Sequence, residues 1–123
     1  MTKEQALDAF WQSFGLDAYD ESSVPQGTEL PYITYEVQTD SLSDRGTALT
    51  GSLWYHGTSW AEVTMKSNQI SQYIGRGGVT LPYDNGLLWI KRRSPFAQRM
   101  SDPDDDLIRR IVISIEAEFF SAD

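Results

Sequence analysis

One stretch limits the folds open to this chain more than any other: the run from Ile111 to Phe119. Ile111, Ile113, Ile115, Ala117 and Phe119 fall on one parity, and Arg110, Ser114, Glu116 and Glu118 on the other. Apolar residues at every second position, many of them β-branched, predict a strand with one face in a core and one in water. Gly86 to Arg92 is a second apolar run, rich in Leu, Trp and Ile. The two runs predict an antiparallel strand pair at the centre of the fold. Between them lies what reads as a long loop, first basic (Arg92, Arg93, Arg99) and then acidic (Asp102, Asp104, Asp105, Asp106). Long loops in compact domains are commonly functional or disordered.

The rest of the chain supplies what that strand pair needs. Thr2 to Gly15 reads as an amphipathic helix, with Leu7, Phe10, Trp11 and Phe14 on one stripe. Thr2 is its expected N-cap and Gly15 its expected C-terminal stop. Leu16 to Leu30 is an aperiodic connector. Pro31 to Thr39 alternates as a strand, and Thr47 to His56 as its hairpin partner, joined by the polar loop Asp40 to Gly46. Gly51 in mid-strand points to a bulge or to a close approach by another backbone. Ser59 to Ile74 reads as a second helix, with Ser59 and Glu62 as a capping box. Gly75 to Gly78 turns the chain, and Val79 to Tyr83 is a candidate short strand. The expected order is α-β-β-α-β-β. That implies an α+β fold, with an antiparallel or mixed sheet and two helices packed on one face.

A length of 123 residues suits a single domain over 1–123. With no Cys there is no disulfide framework and no thiolate zinc site. No apolar run approaches the ~20 residues that span a bilayer, and MTKEQALDAF has no signal-peptide core. The expectation is synthesis in a cytoplasm and no membrane partner. The formal net charge of −8 argues against non-specific binding to nucleic acid, which depends on Lys and Arg.

Four motifs bear on chemistry. Gly57-Thr58-Ser59-Trp60-Ala61 has the look of a nucleophile elbow, yet Ser59 is explained as a cap and the sole histidine, His56, precedes it. Asp102, Asp104 and Asp106 match the first three ligand positions of a calcium loop. The pattern then fails, with Leu107 in place of Gly and Ile113 in place of the last Glu. Gly75-Arg76-Gly77-Gly78 follows a helix, whereas phosphate loops precede one. The arginines that bracket the acidic run either pair with it inside the domain or belong to a two-signed surface that meets a second copy.

Pro31-Tyr32-Ile33-Thr34-Tyr35, Gly86-Leu87-Leu88-Trp89-Ile90, Ser94 to Met100 with Asp102 to Asp106, and Arg109 to Phe120 together carry a resemblance. The chain resembles the tail-terminator, or tail-completion, proteins of long-tailed bacteriophages and prophages, a minor-tail and head–tail joining family. The order of elements resembles theirs as well. The resemblance implies a non-enzymatic assembly protein of the virion that caps the tail tube as a hexameric ring and joins it to the head. The implied partners are further copies of the chain, the tail tube protein and a head-side connector. DNA passes through without specific binding, and no metal or other cofactor is implied. Length and charge put the subunit or tube contacts on two segments. These are Asp40 to Gly46, with Asp40, Asp44 and Arg45, and Arg92 to Asp106, with Arg92, Arg93, Arg99, Asp102, Asp104, Asp105 and Asp106. Two alternatives stand beside this reading: a head-closure or adaptor protein of the same joint, and a small ligand-binding domain or enzyme using the sheet face around Trp54 and His56.

Overall fold

A computed structural model describes residues 1–37 and 46–121. Helix α1 (Lys3–Gln12) is followed by strands β1 (Ala18–Asp20), β2 (Tyr32–Tyr35) and β3 (Thr47–His56). Helix α2 (Ala61–Ile74) then leads to β4 (Val79–Tyr83), β5 (Gly86–Met100) and β6 (Ile108–Ser121). The strands form one six-stranded sheet in the order β1-β2-β3-β6-β5-β4. The β1–β2 pair is parallel and all other pairs are antiparallel.

The alternating strand takes the middle of this sheet. β6 pairs with β3 from Thr47↔Ala117 to His56↔Ile108 on one side and with β5 on the other. Ile113, Ile115, Ala117 and Phe119 are fully buried, as their shared parity requires. They meet Leu49 and Leu53 of β3, Leu88 and Ile90 of β5 and the apolar faces of both helices in one core. Each Ile, Leu or Phe among them contributes roughly 1.5–3 kcal/mol by leaving water.

The expected α+β arrangement is corrected. Strand accounts for 45% of the described residues and helix for 21%, and the mixed sheet curls instead of presenting one flat face to a helical layer. The order is α-β-β-β-α-β-β-β. Three segments account for the difference. Ala18–Asp20 is too short to show alternation and is a strand only through its backbone pairing with β2. Val79–Tyr83 is a full edge strand on β5. Third, β5 does not stop at Arg92 but continues to Met100. Its second half has no apolar alternation and contains Pro95, so it reads as a loop. The ladder to β6 accommodates Pro95 in a bulge between Arg92 and Ala97, where pairing is interrupted, and resumes from Ala97↔Ile113 to Met100↔Arg110.

Smaller differences have equally local causes. Of the strand expected over Pro31 to Thr39, Tyr32–Tyr35 forms. Glu36 still donates its N–H to the Thr50 carbonyl (3.0 Å), while its side chain accepts the Thr50 N–H (2.7 Å). Gln38 and Thr39 lie outside the described residues. Gly51 sits in an unbroken register, so it is neither a bulge nor a backbone crossing. The Trp11 ring covers it, and a Cβ at this position would lie 2.5 Å from that ring. Thr2 does cap α1, in a full capping box with Gln5: the Gln5 N–H donates to Thr2 Oγ1 (3.1 Å) and the Thr2 N–H to Gln5 Oε1 (2.8 Å). The capping box expected of Ser59 and Glu62 does not form. Helix α2 starts after Trp60, and Ser59 Oγ accepts the Ala61 N–H (3.0 Å). Phe10 and Phe14 both stack edgewise or tilted on Tyr73, and Lys66 Nζ donates to the Phe14 carbonyl (2.7 Å). These contacts lock α2 to the end of α1.

Candidate assembly surface at the edges of the sheet

A sheet ends in two strands whose outer amides and carbonyls have no ladder partner, and folded proteins commonly block them. Here β1 is blocked from within the chain. Inward, Ile33 donates to the Asp17 carbonyl and Glu21 to the Tyr35 carbonyl (both 2.9 Å). That leaves Ala18 and Asp20 facing out. The Ala18 N–H donates to Gln12 Oε1 (3.2 Å), and its carbonyl accepts from Gln12 Nε2 (2.6 Å). One amide side chain from α1 therefore stands in for a neighbouring strand. The Asp20 carbonyl accepts the Ser23 N–H (2.8 Å) and is also satisfied.

The opposite end is finished only in part. β4 covers β5 from Gly86 to Ile90 and no further. From Arg92 to Met100, β5 has β6 on one side and, among the described residues, no strand on the other. Side chains along this half are exposed, except for Phe96, which packs partly on the core.

The charged residues expected at contacts fall into distinct settings. Arg92 Nη1 donates to Ser71 Oγ on α2 (2.8 Å). Arg93 stands exposed in the bulge. The Arg99 guanidinium lies 4.8 Å from the centre of the Trp60 ring, a ring it shares with Arg109. The acidic run is not the second half of a long loop but a tight turn at the hairpin tip. Asp102 accepts the N–H groups of Asp104 (2.8 Å) and Asp105 (3.1 Å). Asp105 accepts the Leu107 N–H (2.9 Å) and faces His56 Nε2 at 3.2 Å. Asp104 and Asp106 are exposed, and the Asp106 carbonyl accepts from Arg109 (2.6 Å). Asp40, Asp44 and Arg45 lie outside the described residues.

Of the two explanations for the bracketing arginines, internal pairing is not what forms. Among the described residues, ion pairs join the Met1 amino group to Asp84, His56 to Asp105, and Lys91 to Glu116 and Glu118. None of these pairs involves an arginine. Lys91 is held above the usual lysine range, first by its hydrogen bond to Glu116. Arg110 turns inward to Ser52 Oγ (3.0 Å) and lies over Trp54. Arg76, set aside in the sequence as part of a turn, lines a hollow with Arg92, Arg93 and Phe96. Neither the role of Gln12 nor that of Arg76 had a sequence signal, since each depends on what folds beside it.

The elbow-like segment and His56 line a second hollow with Tyr55 and Glu62. Ser59 Oγ is engaged by the Ala61 N–H there, and His56 faces Asp105. Beneath the closed edge the Tyr35 hydroxyl donates to Asp8. Burial, with Asp8 adding to it, pushes the Tyr35 phenol well above its ordinary range. Burial also raises the Tyr55 phenol, with Glu62 adding. No family model, curated protein or solved structure matches the chain.

Proposed function

We propose that this chain is a structural subunit of a ring that closes the tail tube of a long-tailed bacteriophage and offers the surface to which the head joins. The open half of β5 is the observation that carries this reading. It is a long strand edge with no strand partner among the described residues, while the other end of the sheet is blocked. Such an edge is a surface to which another chain can add. The sequence resemblance supplies the kind of assembly. In this reading the subunits work by covering surface and catalyse no reaction. Their other partners are the tail tube protein and a head-side connector, and their place is the tail–head junction. A net charge of −8 suits a channel wall that DNA must pass without adhering.

Native mass spectrometry and negative-stain imaging over a range of concentrations, with and without purified tail tubes, test the proposal. Closed rings, of six subunits, that bind tube ends are expected. A chain that neither closes into rings alone nor binds tube ends would overturn it. Rings that bind the connector and not the tube would move the chain to the head-closure side of the joint.

A further inference from the structure

Among the described residues the open half of β5 carries cations that form no ion pair, although Arg93 lines a hollow with Glu36. Arg93 and Arg99 are exposed along it, and Arg76 and Arg92 line the hollow beside it. None of the four enters an ion pair among the described residues. In a chain of net charge −8 this local excess stands out.

The opposite end of the sheet has the opposite sign. The connector from Leu16 to Leu30, which contains β1, holds Asp17, Asp20, Glu21 and Glu29 and not one Lys or Arg. Asp17, Glu21 and Glu29 are exposed, while the Asp20 carboxylate is turned to Ser22. With β1 and β5 on either side of the central β3–β6 pair, these two surfaces lie at different ends of one sheet. A second copy can bring a surface of one sign against a surface of the other.

We infer that the open half of β5 in one copy seats against the acidic Leu16–Leu30 connector of the next copy, head to tail. This rests on the ring reading and names the surfaces that would form the ring. Contacts between two different patches of one chain propagate in one direction and close when the rotation per subunit allows. Two alternatives fit less well. Two β5 edges meeting antiparallel about Phe96 would set Arg92 and Arg93 near the partner's Arg99, and like charges placed opposite each other destabilise a pair of strands. A continuous ladder from β5 to the next copy's β1 is barred, because Gln12 already holds the outward groups of Ala18. The contact is therefore made by side chains and charge, and it weakens as salt screens it.

Reciprocal charge reversal tests this. One variant carries Arg93→Glu and Arg99→Glu, the other Glu21→Lys and Glu29→Lys. Each alone is expected to self-associate at least about tenfold more weakly than the parent chain, because like charges then face each other. Mixed in equal amounts, the two should recover association and form oligomers that alternate in composition, since every contact again joins opposite signs. Circular dichroism and melting temperature establish that both variants are folded. If the parent forms rings and either variant does so equally well, the interface lies elsewhere and the ring reading stands. Two deficient variants that fail to rescue each other overturn the pairing of these surfaces. If the parent and the mixture both remain monomeric and do not bind tube ends, the ring reading falls with it.

Discussion

At β1 the outward amide and carbonyl of Ala18 meet the Gln12 side chain, whereas at β5 the strand from Arg92 to Met100 has, among the described residues, no strand partner other than β6. Both are edges of one sheet, and both flank the same core. Beneath the closed edge Trp11 stacks on Tyr35 and covers Gly51. The open edge has exposed polar and charged side chains over most of its length. The difference separates two uses of a strand. One edge is tied into the fold by the helix that precedes it. On the other, exposed positions such as Arg93 can be altered without disturbing the core.

The sharpest way to break this comparison is to attack the packing beneath the closed edge. Trp11→Ala is expected to cost about 3–5 kcal/mol, because a fully buried indole leaves a cavity. Urea unfolding measures it, and a loss under about 1 kcal/mol would mean that the edge does not depend on this packing. Gly51→Ala comes next, at roughly 1–3 kcal/mol, since the added methyl collides with the same ring. Gln12→Ala should cost about 1–2 kcal/mol by freeing two backbone groups of Ala18. Faster hydrogen exchange at the Ala18 amide would report the opening, and unchanged exchange would show that Gln12 is not the lock.

The Tyr35 phenol offers a milder probe of the closed side through pH. Its folded pKa is raised, so the folded chain keeps a proton that the unfolded chain loses above about pH 10. The stability from this group is complete below that pH and declines as pH rises further. Tyr55 and Lys91 act in the same direction. Tyr35→Phe should therefore lose stability less steeply above pH 10 than the parent, and identical slopes would exclude the assignment. The smallest effect belongs to the open side. Arg93→Ser should change monomer stability by no more than about 0.5 kcal/mol, the usual range for an exposed position.

How much of this was legible depended on whether a segment carries its own signal. The alternation from Ile111 to Phe119 located the central strand, and Thr47 to His56 was readable to the residue. Thr2 announced its cap because capping chemistry is local. The second half of β5 could not be read, because its strand state comes from β6 and not from its own residues. β1 is similar, three residues made into a strand by β2. These hidden segments form the two edges, so the fold class was misjudged where the candidate surface lies. The charges of that surface were visible, namely Arg92, Arg93 and Arg99. What escaped was that Asp102 and Asp105, rather than pairing with these arginines, hold the hairpin turn with their carboxylates.

Gln12 also bears on the shape of whatever the chain builds. Were Ala18 free, β1 of one copy could continue the ladder of another copy's β5, and successive sheets would add without limit. Because the blocking amide sits on α1, that path is shut only after the helix has docked. Chains caught before docking, or carrying Gln12→Ala, should drift toward thioflavin-binding fibrils under conditions where the parent stays discrete. A single side chain would thus set the choice between a closed object of fixed size and an open one of indefinite length.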